Sequence, residues 1–114
     1  MSTKEKHAFV PERIGDEIVL YDTHTKKRFR LDEFCSLIEK SMSEAFPNAE
    51  LVECSQLSEG SRQFECRAGG YKLDKQEPYL VAQKAAYDIA EQFRLATPMF
   101  LAQLNGWSFV LEVV

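Results

Sequence analysis

No stretch of this sequence approaches the roughly 20 consecutive apolar residues that span a bilayer. The opening segment, "MSTKEKHAFVPERIG", holds no apolar run of the kind a secretory leader carries. A cytoplasmic chain is therefore expected, away from membranes and with reduced thiols. Histidine is scarce: His7 and His24 are all there is. Cys35, Cys54 and Cys66 stand at none of the short spacings used by structural zinc or redox motifs. No metal and no cofactor is expected.

A phosphate-cradling loop is also missing. Gly69-Gly70 in "RAGGYK" precedes the next expected helix, at Pro78, by too many residues to present that helix's N-terminus to a phosphate. It reads better as a strand bend. Paired acids for hydrolysis need to face one cleft from separate elements. Asp88 and Glu91 instead share one helical face with Lys84 and Arg94.

A broad basic face is lacking too. The net charge is −4, and the basic residues concentrate before Asp32, so the remainder is strongly acidic. Such a body repels phosphate backbones, and nucleic acid is not an expected partner. The one local exception is the segment Lys26–Arg30, with Lys27 and Arg28 beside Phe29. With Tyr21 it would make a small basic-aromatic platform for single strands, or a solvated hairpin whose arginines lie over Tyr21 or meet Glu33.

What is present is the composition of one globular domain: hydrophobic residues are 45% and charged residues 28% of 114. Residues 1–15 are polar and aperiodic and read as a loose arm, with Phe9 and Val10 available to dock it. Residues 16–114 read as a single α+β domain. "DEIVLYD" and "KRFRL" alternate as hairpin strands, placing Leu20 beside Phe29 and Ile18 beside Leu31. From Asp32, an N-cap residue, Phe34, Leu37, Ile38, Met42, Ala45 and Phe46 repeat at helical spacing until Pro47.

A second hairpin turns near Gly60. Its apolar residues share a face only if paired numbers sum to an even value, which sets Cys54 opposite either Phe64 or Cys66. The latter also sets Glu53 opposite Arg67. Pro78 opens a helix reaching about Leu95, "PMFLAQLN" reads as a short further helix closed by Gly106, and "WSFVLEVV" as a last strand. The expected architecture is a mainly antiparallel sheet of about five strands, in the order ββαββααβ, with two to three helices on one face.

Two candidate sites emerge. Cys35 falls in the first turn of a helix, where the dipole favours a thiolate, and His24 would be its base in a small cysteine-dependent enzyme. The alternative for Cys35 is a small apolar residue in the core. The second candidate is an apolar surplus in the last third of the chain: Met99, Phe100, Leu101, Leu104, Trp107, Phe109, Val110 and Val114. Met99, Phe100, Leu104, Trp107 and Val110 are its expected contact residues. Their cover would be a second copy, another protein or a small apolar ligand. A homodimer is expected, because a C-terminal strand makes a natural sheet edge.

Overall fold

A computed structural model describes residues 6–113, so Val114 and the start of the arm lie outside the described residues. The chain is α+β, in the order βββαββαββ. β1 (Phe9–Ile14), β2 (Glu17–Asp22) and β3 (Lys27–Phe29) form one antiparallel sheet. After α1 (Leu31–Ala45) come β4 (Leu51–Gln56), β5 (Gln63–Gly69), α2 (Tyr79–Gln92), β6 (Met99–Gln103) and β7 (Gly106–Glu112). These four strands build a second antiparallel sheet in the order β4-β5-β7-β6, so the C-terminal strand β7 is internal rather than the edge expected of it, and β6 takes that edge.

Two differences from the expected fold matter. First, there are two sheets rather than one, because no strand of β1–β3 pairs with β4–β7, and Phe9–Ile14 forms a strand where an arm is expected. β1 is an edge strand that buries only Phe9, so it carries little alternation, and its Pro11 is tolerated because an edge residue can lack an N–H. Second, "PMFLAQLN" is not a helix. Met99–Gln103 pairs with β7 across the two-residue loop Leu104–Asn105, in which Asn105 adopts φ +54. Asn tolerates positive φ, and Asn105 supplies it at the second loop position, just before Gly106 opens β7.

Both expected hairpins form. In β2–β3, Leu20 faces Phe29 and Tyr21 faces Arg28. Ile18 and Leu31 do not pair, since β3 ends at Phe29 and Leu31 begins α1. In β4–β5, Cys54 faces Cys66 and Glu53 faces Arg67. The Arg67 guanidinium nevertheless pairs with Glu65 on its own strand, at 2.7 Å. α1 starts one residue before the expected Asp32 cap, and the Glu33 carboxylate accepts the Arg30 N–H at 3.1 Å.

The helical stripe Phe34, Ile38, Met42 meets Phe64, Cys66, Phe109 and Leu111 from the four-stranded sheet in one core. Ala82, Ala86, Ile89 and Phe93 of α2 and its end complete it. The small sheet joins through Phe9 and Leu20. His7 is stacked against Phe93, with ring centroids 4.9 Å apart. Its Nδ1 lies 2.5 Å from Asp22 Oδ2, and Asp22 is fully buried. The same carboxylate accepts the Ala8 N–H (3.1 Å), the His24 N–H (3.0 Å) and the Thr25 hydroxyl (2.8 Å). It thereby ties the segment before β1 to the β2–β3 turn.

Candidate functional site: an open sheet edge

Between Arg94 and Glu112 the chain carries no charged residue, and this run is the β6–β7 hairpin with its approach. Register sorts its side chains. Phe100 faces Phe109 and Ala102 faces Trp107, on the side covered by the helices. Phe100 and Trp107 stack at 5.4 Å, and Tyr79 at the start of α2 packs edge-on against both. Met99 and Leu101 point to the other side, beside Val110 and Ser108. No described helix covers that face.

The expected patch is therefore split. Phe100 and Trp107 are buried core and line no open surface. Met99 is 65% exposed, Leu101 51% and Leu104 94%, while Val110 is half-buried. Leu101 belongs with this group although the sequence reading did not place it among the contact residues. The absence of charge across the hairpin was the signal that could have marked it.

Backbone parity is equally informative. A hairpin with a two-residue loop closes on a hydrogen-bonded pair, here Gln103 with Gly106, and such pairs alternate along the ladder. Leu101–Ser108 and Met99–Val110 are then the other bonded pairs. An independent bond agrees: Val113 N–H donates to the Arg62 carbonyl at 3.0 Å, so odd-numbered β7 residues serve β5 and even-numbered ones serve β6. It follows that the N–H and C=O groups of Phe100 and Ala102 point away from the sheet, along an edge beside which no further strand lies among the described residues.

The other edges are blunted. On β4 the outward Cys54 N–H is taken by the Glu39 carboxylate of α1 at 2.9 Å. β1 carries Pro11, Glu12 and Arg13, and β3 is three residues long with Lys27 and Arg28 on it. Proline, charge, shortness and a covering helix are the usual protections of a strand edge. Among the described strands, β6 is the edge that has none of them within its length.

The thiol candidate has a different character. Cys35, Cys54 and Cys66 come from three elements into one cluster, with the Cys54 and Cys66 sulfurs 3.8 Å apart. The hydrogen bond with Cys54, burial and the nearby Glu39 and Asp32 charges all push the Cys35 thiol far up, against the helix dipole. For Cys54, the bond with Cys35 pulls its pKa down, but the Cys66 bond, burial and Glu39 outweigh it. His24 sits in the exposed β2–β3 turn, where its backbone N–H serves Asp22.

The basic hairpin is likewise largely matched. Arg28 lies 4.9 Å over the Tyr21 ring and bonds Glu12 at 3.0 Å, and Arg30 reaches Glu17 at 3.9 Å. Among the described residues, no group of three or more His, Cys, Asp or Glu side chains is arranged to hold a metal. No described helix is long and apolar enough to cross a membrane. Comparisons with protein-family models, with curated proteins and with solved structures found no match.

Proposed function

We propose that this chain is an interaction protein whose working surface is the β6 edge, and that its partner there is a second copy of itself. One observation supports the reading above the rest: an uncharged strand with outward-pointing backbone groups, flanked by exposed Met99 and Leu101. Unpaired strand edges of this kind are templates for another strand, and apolar side chains beside them add burial.

Charge limits where two copies can meet. Each copy carries −4, so two copies repel over most of their surfaces. The β6–β7 hairpin is where they meet without opposed charges. A small apolar ligand is the weaker reading, because Phe100 and Trp107, which would line its hollow, pack on each other and on Tyr79.

Light scattering over a concentration series tests the proposal. Dimer is expected at high micromolar concentration, and Leu101→Lys is expected to return the chain to monomer with its circular dichroism unchanged. A strict monomer throughout would overturn the reading.

A further inference from the structure

We infer that two copies pair β6 against β6 antiparallel, about a two-fold axis passing through Leu101, so that the two four-stranded sheets become one continuous sheet. The inference rests on the self-association proposed above and adds its geometry.

The register follows from which groups the edge offers. Phe100 and Ala102 each present one N–H and one C=O outward. A two-fold at Leu101 sets Phe100 of one copy opposite Ala102 of the other, twice. All the outward groups of β6 are then paired, without calling on any residue beyond the strand. Moving the axis to Phe100 would set Ala102 opposite Pro98, which has no N–H to donate and is itself buried, leaving the Ala102 carbonyls unpaired. Moving it to Ala102 would set Phe100 opposite Leu104, which lies in the loop and outside the strand.

Side-chain size agrees on the helix-covered face, where the large Phe100 meets the small Ala102 rather than another Phe100. On the open face the two Leu101 side chains meet directly in a non-hydrogen-bonded pair, the closest kind of cross-strand neighbour. Met99 of each copy flanks them. Pairing of this kind is isologous and closes on itself, so assembly stops at two.

Cysteine cross-linking tests the register, in a Cys35→Ser background to remove the half-exposed native thiol. Leu101→Cys alone is expected to link two copies when glutathione disulfide is added as oxidant, because the directly opposed Cβ atoms fall within disulfide reach. Ala102→Pro removes an outward N–H that the copy's own ladder does not use. It is expected to weaken dimerisation at least about tenfold while circular dichroism stays unchanged. If light scattering shows a dimer but Leu101→Cys does not link, while a mixture of Met99→Cys and Leu101→Cys chains does, the axis lies at Phe100 and the inferred register is wrong. If the unmodified chain is monomeric, the self-association reading itself fails.

Discussion

Asp22 is the residue on which the small sheet most depends. Burial acts to raise its pKa, but hydrogen bonds from His7, Ala8, Thr25 and His24 outweigh burial and hold the carboxyl well below the ordinary carboxylate range. A carboxyl depressed in the folded state contributes stability that is present above its unfolded pKa, about 3.9, and is lost as pH falls toward the folded value. Urea unfolding should therefore show stability declining progressively below about pH 4, with a flatter profile in Asp22→Asn. At neutral pH, Asp22→Ala should cost about 3 kcal/mol or more, since it strands several buried donors around one lost acceptor. The thiols make the opposite case. With Cys35 and Cys54 both pushed up, iodoacetamide at neutral pH should modify Cys35 more slowly than a free thiol. Cys54 and Cys66 should react only after unfolding. Labelling of Cys35 faster than a free thiol would revive the enzyme reading.

At the scale of elements, two glycines report different constraints. A Cβ on Gly106 would stand 2.4 Å from the Ala68 carbonyl oxygen, so β7 lies close to β5 only because this residue has no side chain. Gly106→Ala should destabilise by about 1–3 kcal/mol in thermal unfolding, the usual range for forced overpacking. Gly60 has open space around it but sits at φ +76, so Gly60→Ala should cost only about 1 kcal/mol, through backbone strain. The Glu39–Cys54 contact is the element-level counterpart of the open β6 edge. Glu39→Ala should lose about 1–2 kcal/mol with the Cys54 N–H bond. It should also unblock β4, giving species larger than dimers in sedimentation experiments, because a second free edge lets pairing continue.

For the whole molecule, association and stability are linked. Binding that involves only the folded chain raises apparent stability with concentration, so Tm should rise with protein concentration in the wild type and not in Leu101→Lys. Salt supplies a sign test. Two bodies of −4 repel across a contact that is itself uncharged, so screening should tighten the dimer several-fold between low and moderate salt. Binding driven by phosphate contacts would weaken instead.

Residue order alone settled whatever depends on near neighbours. The helix stripe from Phe34 to Phe46, the parity that brings Cys54 across from Cys66, and the Leu20–Phe29 pairing are all legible from spacing, because both periods and turn lengths are local. Tertiary structure decided the rest. "MFLAQ" is short enough to suit helix or strand, and pairing with β7 chose strand. β1 is held by one buried phenylalanine and by a carboxylate that lies far from it in sequence, so no local pattern announces it. Spacing likewise marked the C-terminal third as rich in apolar residues but could not say which of them the core would take. That depended on α2 arriving over Phe100 and Trp107 with Tyr79, leaving Met99 and Leu101 on the face that no helix covers.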